Sequence, residues 1–171
     1  MVHSPKTAHT QPGSADGGSR PVHGVMAAPC KSCPYRKDVP SGVWEAHEYD
    51  KLPGYDGEIF QQLSAGAVGL FLCHQRDGSL CAGWLASHGP SNLLAMRLNA
   101  ASVTDEVWTY RTAVPVWASG REAREHGQRD IEEPGSRANR MMARLVSKLP
   151  AAGATSSVGT DDRNAGGSAQ K

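Results

Sequence analysis

Four cysteines are the residues of this chain best suited to chemistry, and they come as two pairs. Cys30 and Cys33 form a C-x2-C loop, whereas Cys73 and Cys81 have seven residues between them. Two thiolates separated by two residues can bind one metal ion from a tight turn, with backbone amides pointing towards the sulfurs. Because no cysteine is left over, the pattern predicts that all four are ligands of one metal site.

The composition predicts that these thiols belong to a small cytoplasmic protein. The 171 residues are 39% apolar and 20% charged, with a net charge of +1, which suits one domain and gives no overall attraction to nucleic acid or membrane. No run of 18 apolar residues occurs, and the first residues lack the apolar stretch of a secretory signal. In the cytoplasm, clustered thiols bind metals or perform redox chemistry more often than they form structural disulfides.

Changes in composition along the chain predict four segments. Residues 1–24 and 150–171 are poor in large apolar side chains, so we expect disordered arms there. The cysteines and aromatic residues concentrate in residues 25–120, the predicted metal-binding domain, and residues 121–149 form a charged and amphipathic helical extension. The expected fold is a small, irregular α+β domain, stapled by metal, with a β-hairpin and short helices.

Two short apolar runs, residues 68–73 and 80–85, predict the β-hairpin that carries the second cysteine pair. A three-residue loop with Gly78 in the left-handed conformation would place Cys73 directly opposite Cys81, with both thiols on one face. A two-residue turn would instead place His74 opposite Cys81. The register therefore decides whether His74 is a ligand.

Apolar spacing predicts the helices. Residues 58–63 have helical spacing, and Ser91 is placed to cap a helix that contains Leu93, Leu94, Met96 and Leu98. Residues 121–133 are mostly charged and predict a solvated helix. Residues 136–149 predict an amphipathic helix, with an apolar stripe from Ala138 to Leu149.

The thiols allow several chemistries. Zinc is favoured, because a closed site of four thiolates supplies folding energy that a thin core lacks. A [4Fe-4S] cluster would use the same four thiolates. A thiol oxidoreductase acting through Cys30 and Cys33 is a third hypothesis, although no long βαβ pattern surrounds the motif. Buried, inert cysteines are the plainest alternative.

Several residues near the cysteines are candidates for a supporting role. His74 and His88 could replace a thiolate as ligand, or tune one through a hydrogen bond. Arg36 and Lys37 could offset the −2 charge of a zinc ion bound by four thiolates. The four tryptophans, Trp44, Trp84, Trp108 and Trp117, are most simply core residues.

The predicted last helix has a basic face. Arg137, Arg140, Arg144 and Lys148 give it a charge of +4, with no acidic residue between 136 and 149. This face could be solvated, could bind an unknown protein partner or a second copy, or could contact a phosphate backbone. The near-neutral charge of the whole chain argues against nucleic acid.

The motifs around the cysteines also resemble a known family. The residues are Cys30-Lys-Ser-Cys33-Pro34-Tyr35-Arg36, Ser41-Gly42-Val43-Trp44, Phe71-Leu-Cys73-His74 and Leu80-Cys81-Ala82-Gly83-Trp84. In this order they resemble an uncharacterised family of small proteins from actinobacteria and their phages. The resemblance implies that the four cysteines form one site, with Arg36, His74 and Trp84 near it. The G-V-W turn is also similar to that of the WhiB-like iron–sulfur regulators, but two cysteines rather than three precede it.

No motif for catalysis accompanies the cysteines. The chain has no G-x-S-x-G, no H-E-x-x-H, no P-loop and no glycine-rich dinucleotide turn. The sequence therefore favours a non-enzymatic zinc protein that engages a macromolecular partner, regulatory or phage-associated. An iron–sulfur protein for redox sensing or electron transfer is the alternative.

Overall fold

The computed structural model describes residues 22–148, and the chain mixes helices with a small sheet, as expected for an α+β fold. The arms predicted for residues 1–24 and 150–171 lie, apart from residues 22–24, outside the described residues. The regular elements are β1 (Gly24–Val25), α1 (Ala46–Asp50), α2 (Ile59–Ser64), β2 (Ser79–Leu80), α3 (Ala82–His88), α4 (Leu94–Leu98), α5 (Gly120–Gln128) and α6 (Ser136–Val146). Short 3-10 helices lie at Leu52–Tyr55, Pro90–Asn92, Ala100–Ser102 and Asp105–Thr109.

The small sheet is centred on Leu80. Strand β1 runs parallel to β2, with Val25 beside Leu80, and Leu80 also forms an antiparallel bridge with Leu72. Leu80 is fully buried. The pairing of Gly24 with Ser79 places the end of the predicted N-terminal arm inside the fold.

The predicted hairpin is wrong in its second half. Residues 72 and 80 do pair across a turn, but the chain enters helix α3 at Ala82 instead of continuing as a strand to residue 85. The residues Ala82, Gly83, Trp84 and Leu85 are all buried. A short apolar run of this kind suits a buried helix as well as a buried strand, so the run alone could not distinguish them.

Helix α4 begins two residues later than a Ser91 cap would require. Its first amide, that of Leu94, donates to the side-chain oxygen of Gln62 at 2.8 Å, and Ser91 lies in a 3-10 helix. The side-chain nitrogen of Gln62 donates to the backbone carbonyls of Gly57 and Asn92. The buried Gln62 thus joins α2 to α4, and the predicted capping role of Ser91 is wrong. The helix predicted at residues 58–63 is confirmed as α2.

Helix α5 belongs to the main core, so the expectation of a fully solvated helix is wrong for one of its faces. Gly120, Ala123 and Gly127 are buried against α1 and the 3-10 helix Leu52–Tyr55. A methyl group at position 120 would overlap the backbone of Leu52. The charged residues of α5 occupy the opposite, exposed face.

Helix α6 confirms the predicted amphipathic helix from Ser136 to Val146. It packs through Ala138 on Val39 and Val43, which form a second, smaller apolar cluster. Met141, Met142 and Leu145 cover the edge of this cluster and stay partly exposed. No helix within residues 22–148 is long and apolar enough to cross a membrane.

Candidate metal centre

The C-x2-C loop is held by a backbone turn and by hydrogen bonds from two side chains. The amide of Cys33 donates to the carbonyl of Cys30 at 3.0 Å, which closes the tight turn that the motif predicts. The indole N–H of Trp44 donates to the carbonyl of Ser32 at 2.8 Å, and the guanidinium of Arg36 donates to the carbonyl of Pro29 at 3.1 Å. The loop is therefore fixed from both sides.

The second cysteine pair has a register that neither predicted turn gives. The amide of Cys81 donates to the carbonyl of Phe71, and that of Cys73 donates to the carbonyl of Ser79, both at 2.8 Å. Cys81 therefore lies opposite Phe71, and not opposite Cys73 or His74. Because residues 71 and 73 share a face of an extended strand, Cys73 and Cys81 still lie on the same side, as diagonal neighbours.

The structure places two of the four thiols in direct contact. The sulfur of Cys33 lies 3.6 Å from that of Cys81, and both residues are almost completely buried. Interaction with Cys33 raises the pKa of the Cys30 thiol, and interaction with Cys30 contributes to the raised pKa of Cys73, so these thiols lie in the same region of the fold. The four predicted ligands are therefore neighbours, here called the thiol cluster, and all four are free cysteines.

Three of the thiols, those of Cys30, Cys33 and Cys73, have raised pKa values and so favour the protonated form. Hydrogen bonding to Cys33 and burial raise the pKa of the Cys30 thiol far above its usual range. At Cys33 a hydrogen bond with Cys30 lowers the pKa, but hydrogen bonding to Cys81 and burial outweigh it, so the pKa is also raised. Burial raises the pKa of Cys73. Thiols of this kind are poor nucleophiles.

The cluster is not a preassembled ligand set. Among residues 22–148, no group of three or more His, Cys, Asp or Glu side chains already has an arrangement that would hold a metal ion. The close pair Cys33 and Cys81 is fully buried, whereas Cys30 and Cys73 are partly exposed. An ion bound by all four would therefore join two buried thiols to two partly exposed ones.

Two residues that our sequence reasoning did not single out support Cys33. Gly83 in α3 lies so close that a methyl group there would overlap the sulfur of Cys33 and press on Tyr35. Tyr35 is fully buried, and its carbonyl accepts from the amide of Trp117 at 2.8 Å. Both residues occur inside the quoted C-P-Y-R and C-A-G-W motifs, which was the available signal.

His74 lies beside the cluster and is engaged by an aromatic ring. Its ring stacks on that of Trp44, with centroids 4.7 Å apart and an angle of 30° between the planes. Burial lowers the pKa of His74. Because Trp44 also binds the C-x2-C loop, His74 supports that loop through the indole ring.

His88 is buried, away from the thiols. One ring nitrogen lies 3.3 Å from the hydroxyl of Tyr35, and the other lies 3.5 Å from the carboxylate of Asp56. That carboxylate also accepts from the amides of Gly120 and Arg121 at the start of α5. His88 therefore links the C-x2-C-P-Y segment to α5. No pattern in the sequence pointed to Asp56.

Arg36 and Trp84 have structural surroundings. The guanidinium of Arg36 makes a bidentate ion pair with Asp38, at 2.6 and 2.7 Å, so its charge is already matched. Trp84 is completely buried and packs edge-on against Tyr55. Its indole N–H has no hydrogen-bond partner among the described residues.

The predicted basic residues lie on α6 and in the turn that follows it. Arg137 donates to the carbonyl of Asp38 at 2.7 Å, and Lys148 lies 3.4 Å from the side-chain oxygen of Gln75. Arg144 and Lys148 line an open cleft together with Cys30. Arg140 is exposed. Of the four predicted basic residues, Arg144 and Lys148 therefore lie beside the C-x2-C loop.

Comparison with known proteins assigns the chain to a family. The model of DUF6283, a family of unknown function, matches residues 25–146. The chain belongs to this family. The match agrees with the expectation of an uncharacterised family. No curated protein and no solved structure matches the chain.

Proposed function

We propose that the protein is a non-enzymatic zinc protein in which Cys30, Cys33, Cys73 and Cys81 bind one structural Zn²⁺. The sulfur-to-sulfur distance of Cys33 and Cys81 supports this proposal most directly. Zinc–sulfur bonds of about 2.3 Å in a tetrahedron place two sulfurs about 3.8 Å apart. The observed 3.6 Å is close to that value, and it joins residues 48 positions apart in the chain.

Binding would relieve the cost of the buried thiol cluster. A divalent cation stabilises thiolates and so reverses the raised pKa values of Cys30, Cys33 and Cys73. The ion would bind the loop, the strand segment and the start of α3 together. Because the regular elements around it are short, this crosslink would contribute much of the stability of the domain.

The observations favour zinc over the two redox alternatives. A [4Fe-4S] cluster binds each cysteine to a different iron, which separates the sulfurs more widely than a single ion does. The close approach of Cys33 to Cys81 does not suit that arrangement. A thiol oxidoreductase needs a cysteine of depressed pKa, and the pKa values of Cys30 and Cys33 are raised.

We expect the Cys33→Ser variant to lose zinc and to unfold far more easily than the wild type. Structural zinc contributes on the order of 10 kcal/mol of apparent binding free energy at neutral pH, which exceeds the stability of most small domains. The measurements are zinc per chain and thermal unfolding by circular dichroism. His74→Ala is the control, because the proposal places His74 outside the ligand set, and it should retain zinc.

A matched glycine pair sharpens the test. Gly83→Ala places a methyl group against the sulfur of Cys33 and should weaken zinc retention in a chelator competition, whereas Gly69→Ala, with open space around it, should not. A folded, metal-free Cys33→Ser protein as stable as the wild type would contradict the proposal. If His74→Ala lost zinc and Cys33→Ser kept it, His74 and not Cys33 would be a ligand.

A further inference from the structure

Two grooves run side by side along helix α6, and they differ in chemistry. The first is a cleft of about 510 Å³, lined by Cys30, Lys31, Ser32, Gln75, Met141, Arg144, Leu145, Ser147 and Lys148. The second is an apolar groove of about 410 Å³ on the other side of Gln75 and Leu145, which line both. A ligand of sufficient length could therefore occupy both grooves.

The charged residues that line the first cleft are all basic. Its charged lining residues are Lys31, Arg144 and Lys148, and no acidic side chain lines it. Arg140 lies one helical turn before Arg144 and is also exposed, so it extends the same positive surface. The net charge of +1 for the whole chain hides this local concentration.

The second groove presents aromatic rings. Trp44 and His74 line it as a stacked pair, and the His74 side of this pair is exposed to solvent. Met142, Leu145 and Val146 supply the apolar wall from α6, and Glu45 is the one charged residue that lines this groove. A flat ring bound here would find an aromatic face within reach of the basic cleft.

We propose that these two grooves bind a single-stranded nucleic acid. The cations would contact its phosphates, and the stack of Trp44 and His74 would support a base, which is the usual combination for sequence-tolerant binding of single strands. An acidic peptide would use the cations but would gain nothing from the aromatic pair. The inference rests on the proposed function, because Cys30, Lys31 and Ser32 belong to the loop that zinc would hold.

The test is fluorescence anisotropy of the full-length, zinc-analysed protein with a labelled 15-nucleotide oligo-dT and with single-stranded RNA of the same length. Four phosphate contacts predict that log K falls with log salt concentration with a slope of about −3. Arg144→Gln/Lys148→Gln should make this slope shallower by about 1.4. Arg121→Gln/Arg129→Gln, which removes the same charge from exposed positions at α5, should leave it unchanged.

The aromatic contribution is tested separately. His74→Ala should weaken binding about tenfold, and His74→Phe, which keeps a stacking ring, should restore most of it. Circular dichroism on each variant confirms that the fold is retained.

Three results would overturn the inference. The first is that the zinc-loaded wild type does not bind the oligonucleotide. The second is that Arg121→Gln/Arg129→Gln reduces the salt dependence of binding as much as Arg144→Gln/Lys148→Gln does. The third is that a poly-glutamate peptide binds as tightly as the oligonucleotide, which would assign the surface to an acidic protein segment. Zinc content is measured on the same samples. A chain without zinc would contradict the proposed function and leave the binding result to stand on its own.

Discussion

Helices α5 and α6 are attached to the domain in different ways. Helix α5 meets the core through backbone: Gly120 and Gly127 let it approach the 3-10 helix Leu52–Tyr55 and the ring of Tyr49 without side chains between them. Helix α6 meets the domain through side chains, with its Ala138 packed on Val39 and Val43 in the smaller apolar cluster.

The first turn of α5 is also capped by side chains, whereas that of α6 is not. The first amides of α5 donate to the carboxylate of Asp56 and to the hydroxyl of Ser119. Gly135 precedes α6 and offers no side-chain cap. Helix α5 should therefore remain attached without a metal ion, whereas α6 depends on the order of the neighbouring loop.

A large effect is expected from Gly120→Ala at the α5 contact. The new methyl group would overlap the backbone of Leu52, which cannot move aside as a side chain can, so we expect a loss of about 3 kcal/mol in the free energy of unfolding. Urea denaturation measures it. Gly69→Ala is the matched control, since nothing lies within 4 Å of its methyl position. Equal losses in the two variants would contradict the close packing of α5.

The link between α5 and the Tyr35 segment predicts a pH dependence. Burial, partly offset by Asp56, lowers the pKa of His88 to about 4, from 6.5 in the unfolded chain. The unfolded chain therefore binds a proton between these values that the folded chain does not. The stabilisation is complete above pH 6.5 and is lost as the pH falls towards 4, by about 3 kcal/mol.

The measurement is urea denaturation of zinc-saturated protein from pH 7 to pH 4. His88→Gln cannot titrate, so it should lose less stability over this range than the wild type, whatever protons the thiols take up. Parallel curves for the two proteins would show that His88 does not carry the effect.

The smallest effect is expected at α6. Leu145→Ala should cost about 1 kcal/mol, because Leu145 is only partly buried, whereas Leu52→Ala at the α5 contact should cost 2 to 5 kcal/mol, roughly the usual range for a core leucine. Urea denaturation of both variants compares the helices with one kind of substitution. A cost at Leu145 as large as that at Leu52 would remove the distinction between α5 and α6.

The sequence predicted the parts of this fold that depend on local pattern. The stripe from Ala138 to Leu145 identified α6, and helical spacing identified α2. It failed where tertiary contacts decide. Residues 82–85 form the first turn of α3, and all four are buried, so their apolar run reflects a buried helix and not a strand. The start of α4 is set by the side chain of Gln62, which lies 32 residues before Leu94.

The grouping of the cysteines was predictable for a simpler reason. A tight turn brings Cys30 close to Cys33 in the chain. The predicted pairing of Cys81 with Cys73 and the observed pairing of Cys81 with Phe71 differ by two residues. Because side chains alternate between the two faces of a strand, a shift of two residues leaves Cys73 and Cys81 on the same face. The link from His88 to Asp56 was not predictable. These residues are 32 positions apart, and no spacing or motif relates them.

The most direct test of the central claim is zinc analysis combined with X-ray absorption at the zinc edge, on protein purified without oxygen or added metal. We expect one zinc per chain, surrounded by four sulfurs at about 2.3 Å. Iron with sulfide, a coordination shell with fewer than four sulfurs, or a folded chain without metal would contradict the four-cysteine zinc site.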